Sequence, residues 1–253
     1  MNHKTLPALV ISGAIAALAA TSAQAHYPWI NADDYRAGAG DSLTFHIGWG
    51  HVFPDADQLN GERIREATVF SADGHRTIVD TTSGDEFTIG SLPGEGPHMV
   101  TMTQARSPYS QTRQGGQSGS RQTLEGVFSC SVSVNSAKAL IGGGAVMDQP
   151  IHHPLEIIPL ADPSTLSVGD EFPIQVLLHD QPFQGEVVTN YGGYTVEEGD
   201  YVSEHQTDVN GRASITLVHE GPWLFLATAV SDYYDPDVCD VNTYRSLMTF
   251  HVD

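Results

Sequence analysis

Basic residues are scarce in this chain. Its 253 residues include 11 lysines and arginines against 31 aspartates and glutamates, which gives a formal net charge of −20. Binding to nucleic acid or to an anionic membrane surface depends on clustered positive charge. The composition therefore argues against both partner classes, and solubility is its plainest consequence.

Long hydrophobic runs are also lacking, apart from one near the amino terminus. Residues 6–20, LPALVISGAIAALAA, follow Lys4 and precede the triplet Ala-Gln-Ala that ends at residue 25. A positive start, an apolar stretch of about 15 residues and a small-residue cleavage site are the parts of a secretory signal peptide. The run is shorter than the roughly 20 residues of a membrane span. We therefore predict that residues 1–25 are cleaved and that the mature chain begins at His26. It would lie in the periplasm, or outside the cell if there is no outer membrane, without direct membrane insertion.

Cysteine is nearly absent, with Cys130 and Cys239 as the two examples. Their spacing is not that of the close Cys-x-x-Cys pairs that bind zinc. An even number of cysteines in an exported chain favours a disulfide. We expect Cys130 and Cys239 to be joined across the two halves of the chain.

Helical periodicity is missing after the first 25 residues, and alternation with a period of two replaces it. In SLTFHIGW the residues Leu43, Phe45, Ile47 and Trp49 alternate with smaller or polar ones, as in a half-buried strand. ATVFSADGHRTIV predicts a hairpin that turns at Asp-Gly. Further strands are predicted at HMVTMTQA, GVFSCSVSV, FPIQVLLHD, ASITLVHE, WLFLATAV and SLMTFHVD. Many short strands separated by turn residues indicate an all-β fold of β-sandwich type.

Two polar or glycine-rich stretches divide the chain. Residues 107–122 are rich in Gly, Ser and Gln and predict a long exposed loop, while residues 141–154 contain three consecutive glycines and predict a linker. The segment NSAKALIG would be a short helical turn at most. We therefore predict two immunoglobulin-like β-sandwich domains, at residues 26–145 and 150–253, each of ordinary domain size.

A histidine at a free amino terminus has distinctive chemistry. The α-amine and the imidazole Nδ1 of His26 can close a chelate ring on one metal ion, and the reference pKa of the amine, near 8, makes the proton cost at neutral pH modest. Nitrogen-rich tetragonal sets of this kind suit Cu(II) or Ni(II). The alternative is that His26 is simply where the peptidase cuts.

Further ligands would have to come from the other histidines, of which the chain has 12 in all. On one strand His46 and His51 have opposite parity and face opposite sides, unless a bulge or a close backbone approach at Gly48 or Gly50 intervenes. His51 is therefore the first choice as partner of His26 and His46 the second. Candidates for a third ligand are His98, His205 and, as carboxylates, Asp55 and Asp57.

Familiar catalytic motifs are absent: the sequence has no Gly-x-Ser-x-Gly elbow, no His-Glu-x-x-His pair and no phosphate-binding glycine loop. We therefore predict no catalytic residues and expect the protein not to be an enzyme.

Several phrases of the sequence coincide with those of one known family. GHVFP ends the first alternating strand, and PLEIIPLADPSTLSVGDEFPIQVLLHDQPFQGEVV opens the second half, followed by TDVNGRASITL and GPWLFLAT. Together they resemble bacterial periplasmic proteins of domain-of-unknown-function family 4198. The resemblance spans nearly the whole mature chain. The two cysteines are not a general feature of that family.

This resemblance implies an exported protein that binds a transition metal and serves a membrane metal-uptake transporter. The expected metal is Ni(II), with Co(II) and Cu(II) as alternatives. By position, His26 corresponds to the family's mature amino-terminal histidine and His51 to the histidine of its Gly-His-x-Phe-Pro motif.

Three other functions stay open. A copper oxidative enzyme would use the amine and imidazole of His26 with a second histidine, and Tyr27 and Trp29 would offer it an aromatic surface for a polysaccharide. A periplasmic copper carrier would use the same ligands. An adhesion or scaffold protein would bind no metal.

Overall fold

The all-β prediction is confirmed. A computed structural model describes residues 26–54, 57–82 and 86–253, so the predicted signal peptide lies outside the described residues. Within those ranges the helical elements are two short 3-10 helices, Gly61–Arg63 and Pro163–Thr165. None of the helices described is long and apolar enough to cross a membrane.

The first half of the chain contains ten strands. They are β1 (Tyr27–Ala32), β2 (Leu43–Gly50), β3 (Asp57–Gln58), β4 (Ile64–Ser71), β5 (Arg76–Ile78), β6 (Glu86–Ile89), β7 (His98–Gln104), β8 (Ser107–Thr112), β9 (Gly115–Ser118) and β10 (Val127–Ile141). The predicted alternation is present in β2 from Leu43 to Ile47, where Leu43, Phe45 and Ile47 are buried while Thr44 and His46 are half-buried. It was wrong for the last residues of the strand, because Gly48 is buried and Trp49 is half-buried. The hairpin of β4 and β5 turns at Gly74, whose φ of 90° suits glycine.

The second half contributes eight more strands. They are β11 (Leu155–Pro159), β12 (Glu171–Leu178), β13 (Gln181–Pro182), β14 (Glu186–Tyr191), β15 (Ser203–Gln206), β16 (Arg212–Thr216), β17 (Gly221–Asp232) and β18 (Val241–Val252).

One ten-stranded sheet runs through both halves. Its main path is β15-β14-β17-β18-β10-β7-β4-β5, and β8 and β9 are attached beside β10. The halves meet where β10 pairs in parallel with β18, from Ser131 opposite Val241 to Ala139 opposite Thr249. The backbone hydrogen bonds of this ladder therefore join the two halves directly.

Two smaller sheets cover the long sheet and enclose two apolar cores. The sheet of β1, β2, β3 and β6 encloses a core with Trp29, Phe45 and Val69, which also takes in Leu224 and Leu247 from the second half.

The sheet of β11, β12, β13 and β16 encloses the other core, around Phe172, Phe225 and Phe250. This core in turn includes Met99 and Val134 from the first half. Each core thus draws side chains from both halves, and the domain boundaries placed at 145 and 150 stay a prediction.

Two local predictions were wrong. Residues 107–122 are not one long loop, because β8 and β9 form a hairpin there and β8 pairs with β10. The segment NSAKALIG is not a helical turn, because its residues up to Ile141 belong to β10. β10 has neighbours on both sides, and pairing in a sheet overrides weak local preference.

The predicted disulfide is confirmed. Cys130 and Cys239 are bonded, with their Cα atoms 4.7 Å apart. Asp240 supports the connection, because its Oδ2 accepts a hydrogen bond from the Cys130 amide at 2.8 Å and another from Arg121 at 2.8 Å. The disulfide therefore closes the end at which β10 and β18 begin to pair.

Candidate metal site

The pairing of β1 with β2 brings His26 next to His51. Tyr27 lies opposite Gly50, so the residue before β1 and the residue after β2 are neighbours in space. The ring centroids of His26 and His51 are 4.6 Å apart, with an angle of 60° between the ring planes. The structure thus brings together His26 and His51, the histidine that the sequence analysis placed first as its partner.

Gly48 leaves room for the indole of Trp29, which lies opposite it on β1. A Cβ at Gly48 would stand 2.5 Å from the indole Nε1 of Trp29, so no other residue fits without movement. The pairing from Tyr27 to Ala32 runs without a register shift. The described pairing thus has no bulge at Gly48, and what this glycine accommodates is the indole ring of Trp29 rather than a close backbone approach.

His51 is enclosed, with 9% of its side chain exposed. Its Nδ1 has no hydrogen-bond partner, because Glu198 Oε1 lies 3.3 Å away but out of line for a hydrogen bond. Burial lowers the pKa of His51, and the negative charge of Glu198 opposes this only in part. A neutral imidazole with an unpaired nitrogen is the form of histidine that ligates a metal ion.

Three residues of the second half lie near this pair, and no sequence pattern indicated them. Glu198 and Tyr201 lie in the segment after β14, and Arg245 lies on β18. Burial and the neighbouring hydroxyl of Tyr201 raise the pKa of Tyr27, whose own hydroxyl donates to the carbonyl of His51 at 3.2 Å. Burial lowers the pKa of the Arg245 guanidinium. Only the order of strands in the long sheet brings these groups to the site.

His26 itself is exposed and borders a cavity of about 300 Å³. Trp49 meets its ring edge-on at 5.7 Å between centroids, and the Arg63 guanidinium lies 4.3 Å above the ring of Trp49. Tyr109 and Ser133 complete the part of the wall contributed by β8 and β10. The site is therefore open to solvent on the His26 side and closed on the His51 side.

His46 lies further along β2, opposite Asn31 of β1. Its Nε2 is 3.1 Å from the amide nitrogen of Asn31, which also donates to the carbonyl of Pro54. Burial lowers the pKa of His46. This histidine has a hydrogen-bond partner of its own and is not brought to His51.

The candidates for a third histidine ligand lie elsewhere. His98 is fully buried in β7, with Nε2 2.6 Å from the carbonyl of Pro93. His205 lies on β15, with Nε2 2.8 Å from the hydroxyl of Ser203. Each has a local contact, and their role as ligands stays a prediction without support from these positions.

The two carboxylate candidates do not supply a further ligand among the described side chains. Asp57 is exposed on β3 opposite Trp49, and Asp55 lies outside the described residues. Across the described ranges, no group of three or more His, Cys, Asp or Glu side chains is arranged to hold a metal ion. Among these described side chains, no third donor joins His26 and His51. The unpaired Nδ1 of His51 makes this pair a fit for a transition-metal ion.

Comparison with known proteins identifies a family and little else. The family profile described as Domain of unknown function (DUF4198) matches residues 23–231. No curated protein matches the chain.

Solved structures with some similarity include fibronectin(III)-like modules of Clostridium thermocellum CbhA, at 10% identity and a TM-score of 0.19, covering 87% of this chain and 93% of that one. Another is the D0-D1 domain of Intimin, at 14% identity and a TM-score of 0.22, with 88% and 97% covered. Murine CEACAM1b has 9% identity and a TM-score of 0.21, with 90% and 98% covered. Scores this low carry no argument about function.

Proposed function

Because the chain belongs to the DUF4198 family, and because His26 and His51 meet at the ends of paired strands, we propose that the mature protein binds one transition-metal ion there. The ligands are the α-amine and imidazole of His26 and the imidazole of His51. The metal is Ni(II), with Co(II) or Cu(II) as alternatives, and the protein passes it to a membrane uptake transporter from the periplasm.

One observation carries the proposal: the imidazole of His51 lies beside that of His26, and its buried Nδ1 makes no hydrogen bond, although Glu198 Oε1 is 3.3 Å away. A buried polar atom without a hydrogen bond costs about 1–3 kcal/mol, and an ion bound at this nitrogen would offset that cost. A metal ion would supply a positive centre for lone pairs that the protein leaves unused. Tyr27 fixes the backbone of His51, and Trp49 limits the positions of the His26 ring.

The acidity of the chain supports a cationic cargo. The formal net charge is −20, and Glu198 lies beside His51. A negative field raises the local concentration of cations and speeds their association. The exposed position of His26 would leave the ion within reach of a partner protein.

Calorimetry with Ni(II) and Cu(II) tests the chelate. The mature protein, beginning at His26, is compared with a form that carries one extra residue before it. We expect the extension to weaken binding at least tenfold, because it converts the amine into an amide without a basic lone pair. Equal affinity in the two forms would overturn the chelate.

A second candidate function, an oxidative copper enzyme, is favoured by the aromatic cavity next to His26. Tyr27 and Trp29, which the sequence suggested for this surface, are buried, with 3% and 0% exposed. Trp49 and Tyr109 would instead offer a surface to a carbohydrate or another flat substrate. The discriminating measurement is peroxide formation with Cu(II) and a reductant. Formation that depends on His51 would favour the enzyme, and its absence would favour metal transfer.

A further inference from the structure

A second cavity, of about 700 Å³, lies on the opposite face of the long sheet, against β4 and β7. Alternation along β7 explains its place. Val100 and Met102 point into the first core, so Thr101 and Thr103 point the other way and line the cavity. Residues 145–154, which are part of the predicted linker at 141–154, form the facing wall.

Positive charge is concentrated in this cavity. Three of the chain's 11 basic residues, Arg65, Arg76 and Arg106, line it, and the single carboxylate among the lining residues is that of Glu66. Arg76 forms an ion pair with Glu66. Among the described residues, neither Arg65 nor Arg106 has a side-chain hydrogen bond or an ion pair. Two guanidinium groups are thus free in a protein that is otherwise strongly acidic.

A β-bulge places one of these arginines. The pairing of β4 with β7 shifts register between Ile64 and Glu66, and Arg65 is the extra residue. Bulges change the direction of a side chain relative to the regular alternation. Arg65 therefore lines the same cavity as its neighbour Glu66 instead of the opposite face.

The other end of the cavity is apolar. Phe70 and Met99 are paired across β4 and β7, and Met147 faces them from the wall. From Gln104, near the free arginines, to Met99 is about 16 Å at the usual rise per strand residue. The cavity therefore has a charged end and an apolar end on one elongated floor.

The wall is held firmly. The amide of Ile151 donates to both carboxylate oxygens of Glu156, at 3.0 and 3.2 Å. Glu156 is also paired at 2.7 Å with Lys138 of β10, and both side chains are 1% exposed. The lining residues include Asn135 and His153, each with a buried polar atom that has no hydrogen-bond partner. The cavity is thus a formed feature of the fold with unsatisfied polar groups in its walls.

We propose that this cavity binds a small organic acid, with its carboxylate on Arg65 and Arg106 and its apolar body against Phe70, Met99 and Met147. Guanidinium groups match carboxylates because their planar forks give two parallel charged hydrogen bonds. Pockets of this volume with apolar walls and a few polar groups are typical of small-molecule sites. The ligand is distinct from the metal ion proposed for His26 and His51.

Calorimetry on the metal-free mature protein tests this assignment. The probes are octanoate and 3-phenylpropionate, the neutral 3-phenylpropanamide, and inorganic phosphate. We expect at least one of the carboxylates to bind with a dissociation constant below about 1 mM, and the amide to bind at least tenfold more weakly. Phosphate should be weaker than that carboxylate, because it cannot use the apolar end.

Variants locate the binding. Arg65→Gln combined with Arg106→Gln should weaken the carboxylate at least tenfold without lowering the midpoint of thermal unfolding. Arg113→Gln, an exposed arginine between β8 and β9, is the matched control and should change nothing. His51→Ala should also leave carboxylate binding intact, which separates this site from the metal site. The proposal fails if neither carboxylate binds, if the amide or phosphate binds as tightly, or if the double variant binds normally.

Discussion

The histidine pair and the arginine cavity are built in opposite ways. His26 and His51 flank two strands that are consecutive in the chain and paired with each other. The cavity joins Arg65 of β4, Arg106 after β7 and the wall at residues 145–154, which are far apart in sequence. The first arrangement depends on one strand pair, whereas the second depends on the order of strands in a sheet that spans the molecule. A change that disturbs the long sheet should therefore affect the arginine cavity more than the histidine pair.

The largest expected effect comes from the disulfide. Cys130→Ser with Cys239→Ser should lower the free energy of unfolding by about 4–5 kcal/mol, because the bond closes a loop with a sequence separation of 109. Urea unfolding of the oxidised protein and the double variant measures this. Both proposed sites should still bind in the fraction that stays folded. An unchanged unfolding midpoint would mean that the bond adds no constraint.

The buried ion pair should matter nearly as much, and mainly for the cavity. Lys138→Met leaves the carboxylate of Glu156 buried without its partner, which typically costs about 3–5 kcal/mol. Denaturant unfolding reports the loss. The matched control is Lys138→Met with Glu156→Leu, which should recover most of it. A single variant as stable as the parent would show that the pair does not hold the wall.

Acid should destabilise the protein through His153, which lies in the cavity wall. Burial lowers the pKa of His153 to about 4. The unfolded chain takes up this proton near pH 6.5 and the folded chain only near pH 4, so stability is full above pH 6.5 and falls as the pH drops between those values. The loss is at most about 3 kcal/mol. Thermal unfolding at several pH values should show a shallower decline for His153→Gln. Parallel curves for the two proteins would refute the assignment.

The smallest effect on stability, and the most specific effect on binding, belongs to His51. His51→Ala should weaken Ni(II) or Cu(II) binding at least tenfold, about 1.4 kcal/mol, because it removes one of the proposed ligands. His75→Ala is the control, since His75 is an exposed hairpin residue whose Nδ1 pairs with Asp73. Calorimetry on both variants decides the matter. Equal losses for the two would remove His51 from the site.

The parts of the fold that the sequence predicted are those with local signals. Alternation located β2, and the Asp-Gly turn located the hairpin of β4 and β5. Two cysteines in a chain predicted to be exported indicated their bond. The parallel pairing of β10 with β18 has no such signal, because it joins strands with most of the second half between them. The shared sheet therefore had to be seen in the structure.

The same limit applies to the candidate site. His51 could be ranked above His46 by parity and position, and the structure brings it to His26. Glu198, Tyr201 and Arg245 could not be predicted, because no local sequence pattern indicates that these residues lie near His51. From the sequence alone, the arginines of the cavity cannot be distinguished from ordinary solvent-exposed charges. Only the positions of β4, β7 and the wall show that they line one cavity.

The continuous sheet also constrains how cargo could leave. Many two-lobed binding proteins release a ligand by rotating one lobe against the other about a few loop residues. Here a ladder from Ser131 to Ala139 along β10 ties the lobes together, and rotation would break its backbone hydrogen bonds. The ladder therefore resists rotation of one half of the described chain against the other. An ion held at His26 would therefore be handed over by ligand exchange at an exposed edge, with the partner approaching a surface that does not open.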